Sequence, residues 1–231
     1  MKTIGILGGM GPEATAELYL EVVRIFQQEY NARYDADFPP FFIFSLPIPD
    51  VVESLEDEEL LVSLLQYGVK KLEQSGADFI VIACNSVQVY LSQMQQAVKI
   101  PILSIPRLVA QEAANKNYQK VGLLATETTL KNKLFEKEMT NKEIFIPDED
   151  EQREVTAAIM NILSGCKSNL DQERLKKIIA KMKLNGAEAV ILGCTELPLL
   201  VPENDSSLPL LNTLKILARA AVKECRQNIY K

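Results

Sequence analysis

An eleven-residue stretch of this chain occurs twice. Gly76-Ala77-Asp78-Phe79-Ile80-Val81-Ile82-Ala83-Cys84-Asn85-Ser86 aligns without a gap on Gly186-Ala187-Glu188-Ala189-Val190-Ile191-Leu192-Gly193-Cys194-Thr195-Glu196, so Cys84 and Cys194 coincide 110 positions apart. Ile100-Pro101-Ile102-Leu103-Ser104 matches Leu208-Pro209-Leu210-Leu211-Asn212 at an offset of 108, and Ile4-Gly5-Ile6-Leu7 matches Val121-Gly122-Leu123-Leu124 at 117. Three segments in one order at nearly one spacing imply two copies of a single unit of about 110 residues. A tandem solenoid needs more copies. Two copies are expected to form lobes facing each other about a pseudo-twofold axis.

Within each copy, short runs of Ile, Val, Leu and Phe alternate with longer stretches of helical period, the pattern of parallel strands covered by helices. Strands are expected at 3–7, 41–45, 79–83, 102–104, 121–125, 144–146, 190–193 and 210–211. Helices are expected at 13–30, 57–75, 86–97, 106–115, 128–139, 149–163, 171–185 and 212–228. The fold class is therefore α/β, with two pseudo-symmetric lobes, each a parallel sheet flanked by helices, and the active site in the cleft between them. The first lobe takes 1–99, joined by the C-terminal helix in 212–231, and the second takes 100–211. A length of 231 residues suits two such lobes.

Among 231 residues there is no histidine. That removes the commonest general base, the usual partner in a serine triad and the commonest zinc ligand. Four cysteines, none in a CxxC pair, argue against a disulfide scaffold and a metal site. A net charge of −6 without a Lys/Arg cluster makes nucleic acid an unsuitable partner. The opening segment lacks the apolar length and cleavage site of a signal peptide, and no run reaches the ~18 apolar residues of a membrane span. A cytoplasmic protein without a membrane partner is expected. Its chemistry has to run on Cys, Asp, Glu, Lys or Tyr.

Ligands of parallel α/β sheets sit beyond the carboxyl ends of the strands. Cys84 and Cys194 fall there, each followed by short polar residues, Asn85-Ser86 and Thr195-Glu196, suited to capping a helix or holding an anion. A free cysteine is often a buried structural residue, and that reading suits Cys166 and Cys225, which have no repeat partner. The repeated pair points to more. Two opposed thiols can remove a proton from one face of a carbon and deliver one to the other, inverting a stereocentre without redox change. Such thiols must be activated by nearby donors, since an ordinary thiol is only a few per cent ionised at neutral pH, and they titrate as a coupled thiolate/thiol pair.

Two loops complete the candidate site. Gly9, Gly11 and Ala14 formally match GxGxxA, but a dinucleotide site also needs an acidic residue roughly 20 positions on, ending the second strand. Here the next strand runs into Ser45-Leu46-Pro47. The loop reads instead as a glycine turn that brings Met10, Gly11 and a helix start near a small carboxylate, or simply as a tight strand-to-helix turn. In the second copy Thr126-Glu127-Thr128-Thr129 offers three hydroxyls, for a helix cap or for substrate.

With these residues the chain resembles the aspartate/glutamate racemase family, most closely its aspartate racemase branch. The resemblance rests on Ile4 to Pro12, Gly76 to Ser86, Leu123-Leu124-Ala125-Thr126, Asp148-Glu149-Asp150-Glu151-Gln152 and Gly193-Cys194-Thr195-Glu196. It implies a pyridoxal-independent racemase of an acidic amino acid, aspartate or glutamate, with no cofactor or metal, usually a homodimer. Cys84 and Cys194 would carry the two-base proton transfer. Asn85, Ser86, Thr195 and the Met10-Gly11 and Thr126 loops would hold the amino acid's carboxylate and amino group, with Thr128, Thr129 and Glu196 completing the substrate contacts.

The chain also departs from the family. Ser86 and Gln88 stand where a Thr and a His are usual, and Val51 and Ser164 stand where an Arg and a Lys would clamp a side-chain carboxylate, with Lys167 close to the latter. Two alternatives share these residues: a cysteine-dependent isomerase or decarboxylase using one thiol as nucleophile, and a non-catalytic binder of small carboxylates.

Overall fold

The computed structural model describes residues 1–49, 52 and 57–227. Strand β1 (Ile4–Gly8) is followed by α1 (Pro12–Tyr30), β2 (Phe41–Ser45), α2 (Glu58–Gln74) and β3 (Phe79–Ile82). A 3-10 turn at Ser86–Tyr90 then leads into α3 (Leu91–Gln96). The second half runs through α4 (Ile105–Asn115), β4 (Lys120–Leu124), α5 (Glu127–Lys131), β5 (Glu143–Phe145), α6 (Glu149–Leu163), α7 (Asn169–Leu184), β6 (Ala189–Leu192), β7 (Leu210–Asn212) and α8 (Thr213–Arg226).

Contacts divide the described residues into two units. The first holds 1–49, 57–104 and 214–227, and the second holds 52 and 105–213. In the first, three parallel strands lie in the order β2-β1-β3, and Ile102 adds an isolated parallel bridge to Ile80. In the second, four parallel strands lie in the order β5-β4-β6-β7. Both units are thus α/β, with parallel sheets flanked by helices.

The duplication extends to single hydrogen bonds. Ile4 stands opposite Phe79 as Val121 stands opposite Ala189, the pairs that the aligned segments bring together. The Thr3 N–H donates to the Asp78 carboxylate at 2.6 Å, and the Lys120 N–H donates to that of Glu188 at 2.9 Å. The Ile80 N–H reaches the Pro101 carbonyl, and the Val190 N–H reaches that of Pro209, both at 2.9 Å. Gly76 and Gly186, which follow α2 and α7, both have φ of +98°, a conformation that glycine adopts without a Cβ clash.

Strands β1, β3 and β6 are buried along their whole length. In the first unit Ile4, Ile6, Leu7 and Phe79 are buried together with Leu18, Val22 and Phe26 of α1 and Leu61, Leu65 and Leu72 of α2. In the second, Val155, Ile159 and Ile162 of α6 and Leu175, Ile178 and Ile179 of α7 cluster with Val190 and Leu192. Each such side chain contributes ~1.5–3 kcal/mol on burial. Helix α6 opens on a capping box, in which Asp148 accepts from the Glu151 N–H and Glu151 accepts from the Asp148 N–H.

Three expected elements come out differently. The helix expected at 128–139 stops at Lys131, because the Asn132 side chain donates back to the Thr128 carbonyl and Lys133 turns left-handed at φ of 51°. That expected at 86–97 begins as a 3-10 turn and becomes α-helical only at Leu91. The strand expected at 102–104 reduces to the bridge at Ile102, since α4 already starts at Ile105. Asn228, the expected end of the last helix, lies outside the described residues.

Candidate active-site residues

In the first unit, Cys84 stands two residues beyond β3 and is 4% exposed. Asn85, Ser86 and Gln88 of the following turn are buried, and the Gln88 N–H closes the turn on the Asn85 carbonyl at 2.9 Å. Neighbouring β1 runs parallel to β3, so its loop leaves the sheet at the same end. That loop is fixed by packing. Gly9 has φ of +90°, and a Cβ there would lie 2.6 Å from the Leu46 carbonyl oxygen. The Gly9 N–H donates to Thr15 Oγ1 at 2.9 Å, and Thr15 Oγ1 donates to the Gly11 carbonyl at 2.8 Å, tying Gly9, Met10 and Gly11 to the first turn of α1. Pro12 opens that helix, where its missing N–H costs nothing. At the end of the 3-10 turn, burial pushes the Tyr90 phenol up, and the Glu58 carboxylate bonded to it adds to the shift.

The second unit repeats the placement with different side chains. Cys194 stands two residues beyond β6 and is 6% exposed, with Thr195 and Glu196 buried beside it. The Cys194 thiol donates to Glu196 Oε2 at 3.0 Å, and Thr195 Oγ1 donates to the same oxygen at 3.0 Å. At the end of adjacent β4, Thr126 caps α5: its Oγ1 accepts from the Thr129 N–H at 3.2 Å and donates to Thr129 Oγ1 at 3.0 Å. Thr128 is buried on the same turn.

One residue at this strand end received no role from the sequence. Gln152 of α6 donates through Nε2 to the Ala125 carbonyl at 3.0 Å, immediately before Thr126, and to Thr156 Oγ1 at 3.3 Å. Its Oε1 is buried without a hydrogen-bond partner among the described residues. The available signal was its place on the first turn of a helix entered through acidic residues.

The remaining positions lie apart from the strand ends. Ser164 is the exposed residue following α6, its Oγ donating to the Asn161 carbonyl at 2.8 Å, and Lys167 and Cys166 are exposed in the loop before α7. Asp50 and Val51 lie outside the described residues. Cys225 is fully buried on α8, its thiol donating to the Lys2 carbonyl at 3.3 Å, and burial pushes that thiol up. Among the described residues no group of three or more Cys, Asp or Glu is placed to hold a metal, and no helix is long and apolar enough to cross a membrane.

A family model described as Asp/Glu/Hydantoin racemase matches residues 7–221. The broad specificity amino-acid racemase RacX of Bacillus subtilis (strain 168) is 26% identical over 219 residues, 95% of this chain and 96% of that protein. Among solved structures, the Picrophilus torridus aspartate racemase is similar at a TM-score of 0.86 and 27% identity, over 99% of this chain and 96% of that one. An aspartate racemase homologue from Pyrococcus horikoshii OT3 is similar at 0.81 and 29%, over 98% and 100%. With its repeated strand–cysteine units inside a match that runs nearly end to end, the chain belongs to the Asp/Glu/hydantoin racemase family of isomerases.

Proposed function

We propose that this protein is an amino-acid racemase that works without pyridoxal phosphate, acts on aspartate or glutamate, and moves the Cα proton between Cys84 and Cys194. One observation carries this reading. The two thiols occupy one position of a duplicated unit, two residues beyond β3 and β6, where parallel α/β sheets bind ligands. The amino acid would lie with its Cα between the sulfurs. One thiolate takes the proton, the carbanion's charge spreads into the α-carboxylate, and the other thiol returns a proton to the opposite face. Backbone and side-chain donors of the Met10-Gly11 loop, Asn85-Ser86, Thr126-Thr129 and Thr195 would hold the carboxylate as that charge develops.

The protein would work in the cytoplasm as a homodimer. Strand β2, at the edge of its sheet, exposes Phe42 and Ile43, whereas its counterpart β5 is shorter and carries the Glu143–Lys120 ion pair. A second copy of the chain is the occupant proposed for that apolar edge.

The test is incubation with L-aspartate and L-glutamate in deuterium oxide without added cofactor, followed by proton NMR and optical rotation. Deuterium at Cα of the product, together with loss of rotation, is expected. Inactivity toward both L-aspartate and L-glutamate, or a covalent adduct on a single thiol without exchange, would overturn the proposal.

A further inference from the structure

Cys84 and Cys194 share a position but not a neighbour. Two residues after Cys194 stands Glu196, whose Oε2 accepts from both the Cys194 thiol and the Thr195 hydroxyl at 3.0 Å, with all three residues at most 6% exposed. The repeat-equivalent of Glu196 is Ser86, which bears no charge. We propose that Glu196 is a positioning residue that keeps the proton on Cys194, so that Cys84 is the first of the two thiols to ionise. The assignment of Cys84 as base rests on the two-thiol racemase reading.

The physical argument concerns one shared proton. The Cys194 thiol is the donor to the Glu196 carboxylate, so the shared proton resides on sulfur. Ionising Cys194 as well would set two negative charges about 3 Å apart away from water, which disfavours the thiolate. The Thr195 hydroxyl holds the carboxylate oxygen in place. Once Cys84 is ionised, the Cα proton passes to it and makes it a thiol, while Cys194 gives its proton to the opposite face of Cα and becomes a thiolate. One proton enters the pair and one leaves. Relaxation returns the proton to Cys194, because that thiolate faces a carboxylate.

The test uses the full chain and a small haloacetamide at neutral pH, with alkylation of each cysteine followed by mass spectrometry. Cys84 is expected to react at least about tenfold faster than Cys194, a ratio set by thiolate population. Access alone would favour the reverse order, since Cys194 is the slightly more exposed, at 6% against 4%. Glu196→Gln keeps an oxygen that accepts the same two bonds and removes the charge, so it should raise the Cys194 rate about tenfold while leaving the fold intact. Thiolate absorbance in the ultraviolet needs no reagent access. As pH rises, it should develop later in Cys84→Ser than in Cys194→Ser. Faster reaction at Cys194, an unchanged ratio in Glu196→Gln, or absorbance that follows Cys194 would overturn the assignment. Because no substrate is present, a negative racemisation assay beside a leading Cys84 would remove the racemase reading and leave the proton on Cys194.

Discussion

Gly5 and Gly122 hold one position in the two copies of the sheet, each within the strand that leads to a candidate binding loop. A Cβ on Gly5 would meet the Ala77 Cβ at 2.9 Å and the Phe79 carbonyl at 3.3 Å, whereas one on Gly122 would meet the Met182 Sδ at 2.5 Å and Val190 Cγ2 at 3.0 Å. The shorter contact is the softer one. A thioether can swing aside, but a Cβ moves only with its backbone. Gly5→Ala should cost ~1–3 kcal/mol in denaturant unfolding, and Gly122→Ala less, as typical of overpacked cores. The reverse order would show that the strand, not its cover, is what yields.

The repeated architecture was readable because it rests on backbone rules that particular residues reveal. Gly76 and Gly186 mark the same left-handed turn, and Asp78 and Glu188 mark the same carboxylate-to-backbone bond at a strand entrance. The places that resisted depend on side-chain direction. Nothing in Thr128 to Met139 breaks helical period, yet Asn132 folds its amide back on Thr128 and ends the helix. Glu196 was expected among the substrate contacts, and its carboxylate turns to Cys194 and Thr195. Sequence marks an acid two residues past a thiol, while packing decides what it faces.

Gln152 offers a test of how the Thr126 loop is held. Its amide orientation follows from the Ala125 carbonyl, which can only accept, so Nε2 must face it. Gln152→Ala removes that donor and leaves a carbonyl short of one partner, at a cost of ~1–3 kcal/mol by thermal or denaturant unfolding. With Thr126 less well placed, racemisation should also lose about tenfold in kcat/KM. Unchanged activity beside reduced stability would confine Gln152 to the fold.

Burial of Cys225 makes a pH prediction with a definite sign. Its thiol is held up by desolvation first of all, against smaller opposing pulls from the N-terminal ammonium and Arg226. The native state therefore keeps this proton at a pH where the unfolded chain has lost it. Stability from this site is complete below the ordinary thiol range and declines as pH rises above it, by at most about 1.4 kcal/mol per unit. Unfolding free energies of the wild type and Cys225→Ala, compared from pH 7 to 10, should converge as pH increases. Parallel curves would mean that the thiol ionises alike in both states.

Replacing the paired thiols tests whether they act as one unit. Cys84→Ser and Cys194→Ser each remove one acid–base partner, which should lower kcat/KM by ~10²–10⁴. Because the enantiomers have equal free energy, each variant must lose the same factor in both directions, whichever thiol was changed. The double variant should be little worse than the more damaged single one, since half of a relay transfers nothing without its other half. Losses that multiply would mean that the sulfurs contribute independently, and a Cys84→Ser protein racemising at the wild-type rate would remove that thiol from the chemistry. Initial rates by circular dichroism, starting from each pure enantiomer, measure all of these.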